Sequence, residues 1–193
     1  MPVIEHAPVV LREFRDSDIG VVLSAATDPL IPLITTVPAN GVAGEALAYI
    51  RRQRQRLPSG AGYSFAIADI GTGDAVGQIG LWLRDLNFGR ASTGYWIGPE
   101  RRRRGYAAAA LAAITRWGLT LAGVSSIELY VEPWNQGSWR AAERAGYHRE
   151  GLLRSWQQVG NERRDMYMYS VIRQVSTPAR PGQLVGLAGC NQY

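Results

Sequence analysis

The chain contains no lysine: all 21 of its basic residues are arginine, against 16 acidic residues and a formal charge of +5. A compositional bias of the genome explains arginine in place of lysine better than a selected role does. The excess charge still predicts attraction to anions, whether nucleic acid, an acidic protein surface or a polyphosphate. Cysteine is almost absent too. Cys190 stands alone near the C-terminus, which excludes a disulfide framework and a cysteine metal site and argues against a thiol nucleophile. His6 and His148, the only histidines, have no partner at metal-ligand spacing, so both are read as surface residues and no metal is expected. No apolar run approaches the length of a membrane span, and Met1-Pro2-Val3-Ile4-Glu5-His6 lacks the basic and apolar stretches of a secretion signal. A soluble, cytoplasmic protein without membrane contact is the expectation.

What is present suffices for one domain with a real core: 193 residues, 46% hydrophobic and 19% charged. Val9 to Phe14 reads as a first strand, and Asp16-Ser17-Asp18 caps a helix carrying Ile19, Val22, Leu23 and Ala26. Pro29, Pro32 and Pro38 make the next stretch a loop, and a second helix spans Ala43 to about Leu57 with Leu47 and Ile50 on its buried side. Tyr63 to Asp69, Ala75 to Leu83 and Thr93 to Gly98 read as an antiparallel meander, with Gly71-Thr72-Gly73-Asp74 as a hairpin turn. A long helix follows from Gly105 to Leu121, with small residues where it must come close to a sheet. Ser126 to Val131 is a strand, Asn135 to Ala145 a short helix stopped by Gly146, and Tyr147 to Ser155 and Asp165 to Gln174 close the fold. This order predicts an α+β domain over residues 1–174: a mixed, mostly antiparallel sheet of about seven strands with helices on both faces. Residues 175–193, with Pro178 and Pro181, are expected to form a tail outside it.

The most informative segment joins the strand at Trp96-Ile97-Gly98 to the helix at Tyr106 through Arg101-Arg102-Arg103-Arg104-Gly105. A helix start carries unpaired N–H groups and partial positive charge, and a glycine lets backbone approach a ligand closely, so this is the build of an anion cradle. Its pattern, Arg/Gln-x-x-Gly-x-Gly/Ala over Arg102 to Ala107, is followed by Val131-Glu132-Pro133-Trp134-Asn135-Gln136-Gly137-Ser138 and then by Ala145-Gly146-Tyr147-His148-Arg149-Glu150-Gly151. With these three motifs in this order the chain resembles the GNAT superfamily of N-acetyltransferases, and within it the RimJ/RimL-like group that modifies ribosomal-protein N-termini. The resemblance covers roughly Val9 to Gln174.

The resemblance implies that acetyl-CoA lies where the fourth and fifth strands of the fold, ending at Gly98 and Val131, splay apart. Its pyrophosphate would sit on the backbone of Arg102, Arg103, Arg104, Gly105, Tyr106 and Ala107, with arginine side chains adding charge-assisted bonds. It implies further that Asn135 holds the pantetheine region, that Ser138 protonates the departing thiolate, and that a backbone N–H near Ile97 meets the oxyanion. A capping role for Asn135 is compatible with this one. Nucleic-acid binding is not expected, because no aromatic platform is interleaved with the arginines. A homodimer stays open.

The chain departs from its relatives at the general base. Tyr130 and Gln157 stand where two branches of the superfamily carry a glutamate, leaving Glu132, Glu150 and Asp165 as water-relayed candidates. At pH 7 roughly a tenth of an α-amine is neutral, against about one lysine amine in a few thousand. The acceptor expected for such an enzyme is therefore a protein or peptide N-terminus; the alternatives are a small amine, such as an antibiotic or polyamine, and a CoA-binding module with little catalysis. Trp82, Tyr95, Trp96, Trp134, Trp139 and Trp156 are expected mostly in the core.

Overall fold

The computed structural model describes residues 1–174; the expected tail, with Cys190, lies outside the described residues. The elements are β1 (Ile4–His6), β2 (Val9–Arg12), α1 (Ile19–Ala26), α2 (Ile31–Ile34), α3 (Ala43–Arg54), β3 (Gly62–Asp69), β4 (Ala75–Trp82), β5 (Arg90–Ile97), α4 (Tyr106–Gly118), β6 (Ser126–Val131), α5 (Gln136–Arg144), β7 (His148–Val159) and β8 (Glu162–Ile172). One sheet holds all eight strands in the order β1-β2-β3-β4-β5-β6-β8-β7. Every neighbouring pair is antiparallel except β5 and β6, which are parallel because α4 carries the chain back across the sheet.

The sheet thus has eight strands and not about seven. The extra strand, β1, has three residues and is parted from β2 by Ala7-Pro8 alone, too short a run for alternation to show. A second difference is α2, where a loop was expected from the prolines. Pro32 falls in the first turn of that helix, where a proline N–H would have had no partner anyway, and Asp28 Oδ1 accepts from Leu30 N and Ile31 N, both at 2.9 Å.

Both faces of the sheet are covered. On one, α4 and α5 bury Leu111, Ile114 and Ala142 against Leu11, Phe65, Ile79, Leu81 and Ile127. On the other, α1, α2 and α3 bury Val22, Ala25, Ile31, Tyr49 and Ile50 with Phe14, Ala66 and Trp96. The small residues of α4 permit its close seat: a Cβ on Gly118 would lie 2.8 Å from Ile127 Cδ1. The Ala145-Gly146-Tyr147 signature is the stop of α5. Gly146 takes φ +87° and donates to Glu143 O at 3.1 Å, while the buried Tyr147 hydroxyl meets Thr115 Oγ1 of α4 at 2.6 Å.

The feature that places the site is a partial seam. β5 and β6 pair only from Arg90↔Ser126 to Thr93↔Leu129, and beyond that point the strands diverge. The ends of β5 and β6 therefore flank a cleft, with the α4 start at its mouth.

Candidate active site

The arginine-glycine turn owes its shape to two left-handed residues. Gly105 (φ +80°) is the N-cap of α4 and Arg103 (φ +63°) precedes it by two residues, an unfavourable conformation for a residue with a side chain and one that clusters at functional loops. No side chain caps the helix. A Cβ built on Gly105 would meet nothing within 4 Å, so open space lies over this backbone. The first-turn amides of Tyr106, Ala107 and Ala108 have no intrahelical partner, because the ladder begins with Ala109 N donating to Gly105 O at 3.1 Å. These donors, with the exposed Arg103 and Arg104, suit an anionic polyphosphate.

Two residues of the motif turn their side chains elsewhere. Arg102 donates to Asp28 Oδ2 at 2.7 Å and to Ile97 O at 3.2 Å, so its guanidinium fastens the turn to the α1–α2 corner. Burial alone would raise the Asp28 carboxyl; the amides of Ile31 and Leu30 and the Arg102 guanidinium outweigh it and hold the group below its ordinary value. The Tyr106 ring is buried and its hydroxyl bonds Asp69, which also accepts from Gly71 N and Thr72 N in the β3–β4 turn. That bond raises the Tyr106 phenol above its usual value and lowers the Asp69 carboxyl. Each of the two residues thus faces the ligand side through its backbone.

Ile97 places a donor at the gap. Gly98 N donates to Val76 O at 2.9 Å on β4, and the alternation of an antiparallel ladder then turns the Ile97 N–H away from β4, toward the side where β6 has departed. Across the gap, Asn135 is the N-cap of α5, its Oδ1 accepting from Ser138 N at 3.1 Å. Ser138 Oγ lies 2.9 Å from the Tyr95 hydroxyl. Desolvation raises the Tyr95 phenol and the bond to Ser138 opposes this in part, so Tyr95 is a neutral phenol at pH 7. Tyr95, read from sequence only as an aromatic, is thereby a direct partner of the candidate acid. Its position two residues before Ile97 was the available signal, since side chains of a strand alternate.

The cleft encloses about 590 Å³ and runs from Asn135 and Ser138 past Tyr95, Trp96 and Trp82 to Leu33–Thr36 and Gln157. Tyr130 and Gln157 both line it. The Tyr130 hydroxyl donates to the buried Glu128 Oε2 at 2.7 Å, its ring stacks on Trp156 at 5.7 Å, and Glu128 pairs with Arg90 at 3.5 Å. Desolvation and that carboxylate push the phenol far up. Of the three candidate bases only Glu132 lines the cleft, its Oε2 accepting from Trp134 Nε1 at 2.6 Å. Glu150 instead accepts from Ser170 Oγ, and Asp165 accepts from Ser155 N at 2.7 Å, where it pins an irregularity in β7. The aromatics are less central than expected: Trp96 alone of the six is fully buried, while Trp134 is 57% and Trp156 49% exposed. Among the described residues no group of three or more His, Cys, Asp or Glu is arranged to hold a metal, and no helix is long and apolar enough to cross a membrane.

A family model described as an acetyltransferase (GNAT) domain matches residues 9–148. An uncharacterized N-acetyltransferase of Bacillus licheniformis, p20, is 26% identical over 165 residues, 86% of this chain and 93% of its own. Solved structures share the fold, among them two bound to the coenzyme or its acetyl form. RimL, a ribosomal L7/L12 alpha-N-protein acetyltransferase in complex with coenzyme A, superposes with a TM-score of 0.72 at 16% identity, covering 89% of this chain and 98% of its own. The microcin C7 self-immunity acetyltransferase MccE, bound to acetyl-CoA and AMP, gives 0.73 at 17% identity over 86% of this chain and 93% of its own. The chain belongs to the GNAT acetyltransferase family. It is an acetyl-CoA-dependent N-acetyltransferase with the mixed α+β fold of that family.

Proposed function

We propose that the enzyme acetylates the α-amine at the N-terminus of a protein or peptide. The observation that carries this reading is the scarcity of base in the cleft. Both positions where relatives carry a glutamate face the cleft as Tyr130 and Gln157, and Glu150 and Asp165 are engaged away from it. Such a cleft suits an amine that is already partly neutral at pH 7. The RimL likeness in fold agrees with the reading.

In this reading the amides of Arg102 to Ala107 hold the pyrophosphate, Asn135 orients α5 toward the pantetheine arm, and the residues divide the chemistry among them. Coenzyme A supplies the acetyl group as a thioester. The Ile97 N–H donates to the carbonyl oxygen as negative charge gathers on it. Ser138, aligned by Tyr95, gives its hydroxyl proton to the departing sulfur. The proton lost by the amine passes through water to Glu132.

The test is kcat/KM against pH for two peptides of one sequence, one with only its α-amine free and one with only a lysine amine free. The α-amine peptide is expected to react faster at pH 7, with a rate that levels off above about pH 8. A faster lysine peptide would overturn the proposal.

A further inference from the structure

We propose that the cleft selects amines bearing an anionic group behind the nitrogen, in the form of a peptide N-terminus with an acidic side chain close to it, and that Arg56 and Arg84 read that charge. This rests on the cleft being the acceptor site. Its charged lining residues are Arg56, Arg84 and Glu132, and they are separated. Glu132 lies at the Asn135 end, where it is bonded to Trp134. Arg56 comes from the turn after α3 and Arg84 from the turn after β4, whose Trp82 pairs with Ser92 near the start of β5, whereas Glu132 follows the end of β6, beyond the last β5–β6 rung at Leu129. The cleft is therefore polar along its length, negative where the amine must react and positive where the rest of the acceptor must lie.

Arg56 and Arg84 are the two arginines that line the cleft, and neither has an ion pair or a side-chain hydrogen bond among the described residues. Arg56 is held in place, its guanidinium 5.1 Å from the Trp82 ring centroid. Trp82 in turn lies across Gly80 and Gly94, where Cβ atoms would come within 3.0 and 3.3 Å of the indole, so the platform has little room to move. Desolvation weakens the hold of Arg56 on its proton; Tyr49 opposes this in part, and the nearby charge of Arg84 adds to it. An anion between the two guanidiniums relieves that repulsion. Arg52, over Tyr49 at 5.9 Å, adds to the positive wall. Besides desolvation, Glu128 and, more weakly, Asp85, which is beside Arg84 in the chain, raise the Tyr130 phenol, while Arg90 lowers it. A polyamine, with positive charge behind its reacting nitrogen, meets repulsion in such a cleft.

The experiment compares peptides that share an N-terminal residue but carry Asp, Gln or Arg at the second and third positions, with wild type and Arg84→Glu. Arg84 is exposed, so the substitution leaves the core untouched. The wild type is expected to favour the Asp over the Arg peptide on the order of tenfold in kcat/KM, since two charge contacts act together, and to lose that preference in high salt. Arg84→Glu is expected to abolish or invert the order. Equal rates for the three peptides, or an order that Arg84→Glu does not move, would overturn the inference while leaving the α-amine proposal standing. If peptides are not acetylated, calorimetric binding of the same series decides: tighter binding of the Asp peptide to wild type but not to Arg84→Glu supports the charge reading although the α-amine proposal fails. Equal binding overturns it. Amines with a phosphate in place of the acidic side chain separate the two sources of the anion.

Discussion

Ser138 sits within reach of one hydroxyl and under one cap, and its backbone amide is already bonded to Asn135. Its hydroxyl meets Tyr95 but takes no part in the cap, so removing it should spare the fold. Ser138→Ala is expected to lower kcat roughly a hundredfold, the scale of a positioned proton donor, with the melting temperature almost unchanged. Steady-state rates and a thermal melt check this; a full-rate variant would remove Ser138 from the chemistry. At this scale the sequence is legible where a motif couples neighbours in the chain. Asn135 as cap of the helix holding Ser138 is such a case. It is silent where a partner comes from far away: Arg102 with Asp28, Tyr95 with Ser138 and Tyr106 with Asp69 are 74, 43 and 37 residues apart. No local period encodes those pairs. Arg102 reads as one more phosphate ligand in the motif, and only the fold shows its guanidinium already engaged.

In the proposed mode of binding the α4 start holds the donor, and its glycine answers two demands at once. Gly105→Ala would force a Cβ into a left-handed conformation at a cost of about 1 kcal/mol, and would project it into the open space above the cradle. The expected result is a modest drop in thermal stability with a larger rise in the KM for acetyl-CoA. A fall in stability alone would place the ligand elsewhere. The long elements, α4, β3 to β6 and the β7–β8 hairpin, were readable because their periodicity extends over many residues. β1 and α2 were not, being respectively three and four residues long and held by pairing and by Asp28.

For the whole molecule, the many buried phenols set a limit in alkali. Burial pushes Tyr49 up to about 12, and Tyr95, Tyr130, Tyr147 and Tyr169 are also raised, desolvation leading in each case. A phenol whose value is higher in the folded state than the unfolded value of about 10 contributes stability that is complete below pH 10 and is lost as pH climbs toward the folded value. Denaturant midpoints are therefore expected to hold steady from pH 7 to 9 and fall steeply between pH 10 and 12. A flat profile to pH 12 would mean that the phenols ionise without cost.

The partial seam between β5 and β6 also decides how the molecule can deform. Strands β1 to β5 form one continuous ladder and β6 to β8 another, and four residue pairs join them. A twist of one panel against the other would have to act through those four rungs and through the packing of α4, which lies on the first panel, against α5. Widening the cleft in this way breaks no backbone bond, because the strands have already separated at the point where the gap begins. The two panels thus meet along a short line, with Ile97 and Ser138, the groups proposed to act on the thioester, on opposite sides of it.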